Sequence, residues 1–303
     1  MQNEYDIVVV GSINMDLIFE INRMPATGET IEGRAFHFLQ GGKGANQAIA
    51  AAKLGNKVAM IGCVGSAIYG TVALKNFEKY GVNHTHVRRV EDYTGVALVT
   101  IQESKKKDNS IISVPGANRK ITKEMIDKAK PILKKAKAVL LQLETSMEVV
   151  EYVIDLCDQY SVPVILNPSP YQTLRSDLMS KLTFIIPNEI EIRQMFPNHS
   201  IELSCAQYPN KLIVSRGSMG AVYHNRTEFK IIDGIKVTPA DTTGAGDSFL
   251  AAFVTEYIKT NDIEASVRFA NMCAGLSITR IGAQESSPTL EDVSKYKKEL
   301  ESN

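Results

Sequence analysis

The sequence has few cysteines and histidines and no excess of charge of either sign. Its four cysteines are far apart and form no C-x-x-C pair, and its five histidines do not cluster, so a structural zinc site is not expected. Lysine plus arginine and aspartate plus glutamate both number 34, which gives a net charge of zero. A standing partnership with nucleic acid or a membrane surface requires a basic excess and is therefore not expected either.

Long apolar runs are also absent, and none approaches the roughly 20 residues that cross a bilayer. Met1–Asp6 is polar and acidic and leads straight into a strand pattern, which argues against a signal peptide. Each cysteine (Cys63, Cys157, Cys205 and Cys273) sits in an apolar stretch, which favours buried thiols. These features predict a cytoplasmic protein in a reducing compartment.

Strand and helix patterns alternate along most of the 303 residues. Short apolar runs such as Ile7–Val10 and Ala138–Leu143 predict buried strands, and Thr122–Lys135 and Ser146–Tyr160 predict amphipathic helices. This alternation predicts an α/β fold, with a doubly wound, mostly parallel sheet and helices on both faces.

Two stretches interrupt that pattern with alternating strands. Met15–Ile21 and Thr30–Phe38 form the first pair, and Gly95–Gln102 and Ser110–Val114 form a hairpin around a charged tip at Lys105–Lys107. We expect the two pairs to combine into one small antiparallel β lid. Its strands carry one apolar face more than a single lid needs, which predicts a homodimer through the lid. The predicted division gives 1–13, 41–93 and 116–303 to a large catalytic domain, and 14–40 and 94–115 to the lid.

The most informative motif is Asp241-Thr-Thr-Gly-Ala-Gly-Asp247, which runs into a helical apolar segment. A glycine turn that opens a helix presents unpaired N–H groups and the positive end of the helix dipole, so Gly244 and Gly246 predict an anion hole. Asp247 at its mouth fits a base that takes a proton from an attacking hydroxyl. The alternative is a carboxylate that only stabilises the helix N-terminus.

A second glycine turn, Gly41-Gly-Lys-Gly-Ala-Asn-Gln47, also enters a helix. It is not a P-loop, because Gly44 follows the lysine where serine or threonine is needed, and its spacing does not match the dinucleotide fingerprint. Lys43 and Asn46 offer donors for hydroxyl groups. A plain strand-to-helix turn is the alternative.

Two shorter motifs complete the set. In Gly11-Ser-Ile-Asn-Met-Asp16, Asn14 and Asp16 share one side of an extended segment and suit a polyol. In Pro187-Asn-Glu-Ile-Glu191, Asn188 and Glu191 share a helical face, and the glutamate could act through water on magnesium. The alternative for this pair is a helix cap.

Together these motifs resemble the ribokinase-like sugar kinases, across essentially the whole chain. The resemblance implies ATP-dependent phosphorylation of a sugar, with D-ribose at O5 as the leading candidate, and Mg2+ and K+ as cofactors. Another family kinase, acting on a different sugar or a nucleoside, remains an alternative, as does a catalytically silent sensor of sugar or nucleotide. A hydride-transferring enzyme is a poor fit because the dinucleotide fingerprint is missing.

The resemblance also implies a role for each matching residue. Asp247 would be the general base, beside an anion hole of Gly244, Ala245 and Gly246. The sugar would be held, together with Asp247, by Asn14, Asp16, Gly41, Gly42, Lys43, Asn46 and Glu144. ATP would be bound by Gly246 together with Asn188, Ser215, Arg216, Gly217, Ser218, Met219, Gly220 and Asn271. Glu191 would act on Mg2+ through water. Potassium would be held by Asp241 and Ser286 and by the carbonyls of Thr243, Ile278, Ile281 and Ala283.

The sequence departs from the family pattern at three places. Ser66 and Ala67 stand where acidic residues are usual, and Arg216 stands at a position that is usually apolar. The stretch Arg193–Asn210 is short and weakly helical, so we expect one peripheral helix to be missing there.

Overall fold

A computed structural model describes residues 4–102 and 109–301. In chain order its strands are β1 (Ile7–Val10), β2 (Asn14–Ile21), β3 (Ala35–Gly41), β4 (Val58–Gly65), β5 (Asn83–Val90), β6 (Gly95–Gln102), β7 (Asn109–Val114), β8 (Ala138–Gln142), β9 (Val164–Asn167), β10 (Phe184–Ile185), β11 (Ile213–Ser215), β12 (Ala221–His224) and β13 (Phe229–Ile232). Its α-helices are α1 (Lys43–Lys53), α2 (Ile68–Lys79), α3 (Lys123–Leu133), α4 (Met147–Gln159), α5 (Leu178–Lys181), α6 (Glu189–Met195), α7 (Ile201–Gln207), α8 (Ala245–Thr260), α9 (Ile263–Ser277) and α10 (Leu290–Glu301). Short 3-10 helices span Gly116–Lys120 and Gly217–Met219.

The central sheet is parallel throughout, with strand order β10-β9-β8-β1-β4-β5. Parallel bridges from Ile185 to Leu212 and from Asn188 to Ser215 continue it to β11. There β11, β12 and β13 add an antiparallel edge. The predicted doubly wound, mostly parallel sheet is therefore confirmed.

Both faces of this sheet are buried, and β1 shows why. Successive side chains of a strand point to opposite faces. Ile7 and Val9 join the core that includes α1 and α8, whereas Val8 and Val10 join the core that includes α3 and α4. Each fully buried aliphatic side chain contributes about 1.5–3 kcal/mol. The strand can therefore be apolar at every position. This packing fixes its carboxyl end, from which the segment Gly11–Asp16 continues.

The two interrupting strand pairs do combine into one small sheet, the lid, with strand order β3-β2-β6-β7. The β2–β3 and β6–β7 pairings are antiparallel, as expected, and the central β2–β6 pairing that joins them is parallel. The predicted charged tip at Lys105–Lys107 lies outside the described residues. The division of the chain into a large domain and a lid stays a prediction.

Three local features differ from the sequence prediction. The strand expected over Thr30–Phe38 begins only at Ala35, because Gly33 interrupts the alternation. The edge strand β5 is not predicted at all, because it is mostly polar and Val87 is its one buried side chain. Helix α7 forms in the stretch where a helix was expected to be missing. The Ser200 hydroxyl caps it by accepting from the N–H of Leu203 at 3.1 Å.

The cysteine prediction is confirmed, since all four are buried and free. Burial raises the pKa of the Cys63 thiol to about 11 and that of the Cys157 thiol to about 12, which keeps both unreactive. Within residues 4–102 and 109–301, no helix has the length and apolar character that crossing a membrane demands.

Candidate active site

The turn from Asp241 to Asp247 opens helix α8, as its sequence predicts. Gly244 is the N-cap residue and adopts a left-handed conformation with φ of 76°. A Cβ atom there would lie 2.7 Å from the Cβ of Ala283, so the turn requires glycine for both conformation and space. Ala245, Gly246 and Asp247 form the first turn, where N–H groups have no partner within the helix. The N–H of Ala245 donates to the Thr242 carbonyl in the preceding turn, at 3.3 Å.

This helix N-terminus faces a partly open cavity of about 120 Å³. The cavity brings together residues from both ends of the chain and from the middle. Its lining consists of Lys43, Asn167, Ser169, Ile186, Asn188, Glu191, Ser215, Thr242, Gly244, Ala245, Gly246, Asp247, Phe249 and Leu250.

Helix α1 lies directly against this turn. Asn46 Nδ2 and Gln47 Nε2 each donate a hydrogen bond of 2.9 Å to the carboxylate of Asp247. The two glycine motifs, some 200 residues apart in sequence, therefore meet at one carboxylate. Asp247 is only 6% exposed. Its place in the cavity wall gives it access to a ligand, which a carboxylate that only stabilised the helix would not need.

A second group of polar residues lies where β1 leads into β2. Asn14 is fixed by Asn118, whose Nδ2 donates to Asn14 Oδ1 at 2.7 Å while its Oδ1 accepts from the N–H of Ile13 at 2.9 Å. Glu144, which follows β8, accepts from the Ser12 hydroxyl and from the Lys43 N–H. Carboxylate and amide groups with fixed orientations suit a ligand rich in hydroxyls.

Charge in this group is unusually concentrated. Burial first, and then the charges of Glu144 and Asp247, raise the pKa of Asp16 to about 7, against the opposing effect of Lys43. Burial acts to lower the pKa of Lys43, but the surrounding carboxylates, Asp247 and Glu144 first among them, outweigh burial and raise it. Lys43 is thus a charged ammonium among carboxylates, placed in the cavity wall.

The other side of the cavity is formed by the start of α6 and the end of β11. Asn188 and Glu191 make a capping box: Asn188 Oδ1 accepts from the N–H of Glu191, and Glu191 Oε2 accepts from the N–H of Asn188, both at 2.9 Å. The helix-cap alternative is therefore correct as geometry, and both residues nevertheless line the cavity beside Ser215. Arg216, which follows β11, pairs with Glu189 of α6, and the Nε of Arg216 lies 3.3 Å from the Oε1 of Glu189.

The remaining residues predicted to bind nucleotide lie outside the cavity lining. Gly217, Ser218 and Met219 form an exposed 3-10 turn that ends at buried Gly220. Asn271 Nδ2 donates to the carbonyls of Ile232 at 2.9 Å and Asp233 at 3.1 Å. Its amide therefore fixes the end of β13.

The residues predicted to hold potassium gather where the 278–286 loop packs on Asp241. The carboxylate of Asp241 accepts from the N–H groups of Thr243 and Gly282, both at 2.9 Å. The Ser286 hydroxyl is buried and has no hydrogen-bond partner within the described residues. A buried hydroxyl without a partner is costly, and a bound cation would supply the missing partner.

Three of the carbonyl groups predicted to bind potassium lie in this loop, and their surroundings differ. The Ile278 carbonyl accepts from the N–H groups of Ala240 at 2.7 Å and Asp241 at 3.2 Å. Both of its lone pairs are used, which argues against it as a ligand in this conformation. Ile281 is exposed and Ala283 is buried. The residues described contain no group of three or more histidine, cysteine or acidic side chains arranged to hold a metal ion.

Several buried polar residues that touch this site were not predicted. Ser12 and Gln47 lie within two of the quoted motifs, where no role was assigned to them, and the fold brings in Asn118, Gln142 and Gln284. Two signals were present in the sequence. Gln47 directly follows Asn46 in an otherwise alanine-rich helix, and Gln142 ends an apolar strand at the edge where ligands bind.

A doubly wound sheet with a β lid, and a helix N-terminus and a buried carboxylate facing a polar wall, define a small-molecule kinase. The comparisons with known proteins agree. The pfkB family carbohydrate kinases match residues 5–290, and the chain belongs to that family. It is a carbohydrate kinase.

Individual relatives are similar along their whole length. A ribokinase of Bacillus subtilis (strain 168) is 40% identical over 289 residues, which cover 95% of this chain and 98% of the relative. A deoxyribokinase of Salmonella typhi is 36% identical over 302 residues, which cover 96% of this chain and 98% of the relative. The structure of Arabidopsis thaliana ribokinase complexed with ribose and ATP superposes with a TM-score of 0.88 at 32% identity, covering 97% of this chain and 98% of that one.

Proposed function

We propose that this protein transfers the γ-phosphoryl group of ATP to O5 of D-ribose. The observation that carries the proposal is the position of Asp247. Its carboxylate lies between the N-terminus of α8, which suits phosphate, and the polar wall with Lys43, which suits sugar hydroxyls. The similarity to ribokinases, including one solved with ribose and ATP, supports the choice of both substrates.

The reaction is written with named atoms. Asp247 accepts the proton of the ribose O5 hydroxyl, and O5 forms a bond to the γ-phosphorus. The bond from the γ-phosphorus to the β,γ-bridging oxygen breaks, and ADP leaves with that oxygen. The N–H groups at Gly244, Ala245 and Gly246 stabilise the charge on the transferred group. The chain thus contributes mainly position and electrostatics.

Two cations fit residues of the site. A magnesium ion would neutralise part of the phosphate charge, and Glu191 in the cavity wall would hold it through water. A potassium ion would be held by Asp241, by the unpartnered hydroxyl of Ser286 and by the carbonyls of Thr243, Ile281 and Ala283, beside the anion hole. We place the protein in the cytoplasm, in keeping with its free cysteines.

A second candidate substrate is 2-deoxyribose, because the deoxyribokinase relative is nearly as similar as the ribokinase. The two sugars differ in one hydroxyl, which the polar wall would have to recognise. A catalytically silent sensor is less well supported, because Asp247 and the glycine turn are intact.

A coupled ADP-release assay with Mg-ATP and potassium tests the proposal. We expect turnover to be fastest on ribose in a panel that also contains 2-deoxyribose, fructose and adenosine. Loss of a hydroxyl that a site is built to bind costs up to about 10⁴-fold in kcat/KM, so the preference is expected to be clear. Faster turnover on another member of the panel would change the assigned substrate and leave the proposed mechanism intact. Binding of ribose without turnover on any member would favour the sensor.

We also propose that a second copy of the chain covers the outer face of the lid. Asp16 and Leu17 are neighbours in β2, so their side chains point to opposite faces, and Asp16 faces the sugar side. Leu17 pairs with Phe38 of β3 and with Leu98 of β6, and Leu98 pairs with Ile112 of β7. These four side chains therefore form one row across the outer face of the lid. Phe38 and Ile112 are 61% and 60% exposed. An apolar row of this kind is typical of a protein interface.

Sedimentation at micromolar concentration tests the dimer. We expect wild type to sediment as a dimer and Phe38→Asp as a monomer, because a charge in this row would be buried in the dimer without a partner. Ile231→Asp is the matched control, since Ile231 is similarly exposed, at 58%, on β13. A monomeric wild type, or equal effects of both variants, would contradict the proposal.

A further inference from the structure

Both oxygens of the Asp247 carboxylate accept a hydrogen bond from an amide side chain. Asn46 Nδ2 donates to Oδ2 and Gln47 Nε2 donates to Oδ1. These residues are neighbours near the start of α1, and neighbours in a helix do not normally face the same group. Gln47 is fully buried and lies outside every motif role assigned above.

Each of these amides is held in turn by another. Gln142 Nε2 donates to Gln47 Oε1 at 2.6 Å, and Gln284 Nε2 donates to Asn46 Oδ1 at 2.9 Å. Asn76 Nδ2 then donates to Gln284 Oε1 at 2.6 Å. All are buried. We call this set the amide relay; its members are Asn46, Gln47, Asn76, Gln142 and Gln284.

The charge at the centre determines the direction of every bond in the relay. An ionised carboxylate can only accept, so Asn46 and Gln47 must present their NH2 groups to it. Their oxygens then face outward and must accept from the next amide. Reversing any one amide would place two donors or two acceptors face to face. The relay is therefore matched to a negative charge at Asp247.

The outer end of the relay carries a cost. Gln142 Oε1 is buried and has no hydrogen-bond partner within the described residues, which costs about 1–3 kcal/mol. The chain also gives up a side chain to make room, since a Cβ at Gly11 would lie 2.0 Å from this oxygen. An apolar residue at position 142 would avoid the unpaired oxygen if the glutamine had no purpose beyond packing.

We propose that the amide relay positions the carboxylate of Asp247 to accept the proton of the sugar hydroxyl, with Gln47 as its principal positioning residue. The proposal rests on the proposed function of Asp247 as general base. The relay also reaches the 278–286 loop through Gln284, so it connects the base to the loop that carries several of the proposed cation ligands.

The decisive variant is Gln47→Met, which keeps the length of the side chain and removes the donor. We expect kcat to fall by about 10–100-fold, because small displacements of a reacting group have effects of that size. The KM values for sugar and ATP are expected to stay near wild type, since Gln47 is not among the residues that line the cavity. Gln142→Met, which leaves both donors to Asp247 in place, is expected to give a smaller loss in the same direction.

A double variant separates positioning from a structural role. If Gln47 acts through the carboxylate, Gln47→Met is expected to cost nothing further in an Asp247→Asn background. A residue that merely joined α1 to α8 would cost the same in both backgrounds. Asn56→Leu is the matched control: Asn56 Nδ2 donates to the Ala51 carbonyl of α1 and to Thr255 Oγ1 of α8, both at 2.8 Å, and so links the same two helices away from Asp247. It is expected to lower the unfolding temperature and leave kcat unchanged.

The outcomes distinguish the relay from the function on which it rests. Normal kcat in Gln47→Met together with a slow Asp247→Asn overturns the relay alone, as do equal costs in the two backgrounds. Normal turnover in Asp247→Asn overturns the base and the relay together. A fall in kcat that disappears in the double variant supports the relay.

Discussion

Asp247→Asn is expected to reduce kcat by about 10²–10⁴-fold, the usual range for loss of a general base, while ribose still binds. Asparagine keeps the shape of the side chain but cannot take the proton from O5. It also presents an NH2 group where Gln47 and Asn46 both donate, so one of those amides must turn round. Turnover by coupled assay and ribose binding by calorimetry measure the two halves of this prediction.

The control for this experiment is Asp262→Asn. Asp262 is the N-cap of α9, where its carboxylate accepts from the N–H of Ala265 at 3.0 Å. Asparagine caps as well as aspartate, so turnover and stability are expected to stay near wild type. If Asp247 only stabilised the start of α8, its variant would keep normal turnover, as this control does, and would lose only about 0.3–1 kcal/mol in stability. That result would remove it from the mechanism.

Asp16→Asn is expected to change how stability depends on pH. The pKa of Asp16 is about 7 in the folded protein and 3.8 in a free aspartate, chiefly because burial disfavours its charge. The folded state therefore holds this proton more tightly than the unfolded state does. Its contribution to stability is fully present below about pH 4 and is lost as pH rises to about 7. Asparagine has no such proton, so the variant lacks this loss.

The size of the effect follows from the pKa difference. Each unit is worth about 1.4 kcal/mol, so between pH 5 and pH 8 wild type is expected to lose about 3 kcal/mol relative to Asp16→Asn. Urea unfolding of both proteins at the two pH values measures this difference. Ribose provides an internal check. Its hydroxyls would donate to the ionised carboxylate, so its affinity for wild type is expected to rise through pH 7. Parallel pH profiles for the two proteins would contradict the prediction.

The sequence predicted the parts of this molecule whose cause is local. The glycine turns at Gly41–Gly44 and Gly244–Gly246 specify a close backbone approach, and their polar neighbours lie at fixed positions on the helices that follow. The apolar strands of the central sheet are recognisable because both of their faces are buried. Strand β5 was missed for the opposite reason, since an edge strand with polar faces has no apolar period to detect.

The rest depends on contacts between distant segments. Gln142 and Gln284 reach the neighbours of Asp247 only after the sheet and the last loop are in place, and a single glutamine carries no local signal of that destination. The parallel pairing of β2 with β6 also depends on contacts between distant segments. Each hairpin was visible in the sequence, but the pairing between them is a property of the large sheet from which both emerge.

That pairing has a consequence for the order in which the molecule can assemble. A two-stranded hairpin is marginally stable alone, so the lid coheres only through the β2–β6 seam, which joins Asn14 to Gly95 at its inner end. Closing a seam between segments this far apart in the chain carries an entropic cost, so this pairing is favoured once β1, β4, α1 and α2 have packed. The turn at Gly244 packs against Ala283, whereas Asn14 and Asp16 lie in the seam. Asn14 and Asp16 therefore reach their final positions only when the lid strands pair.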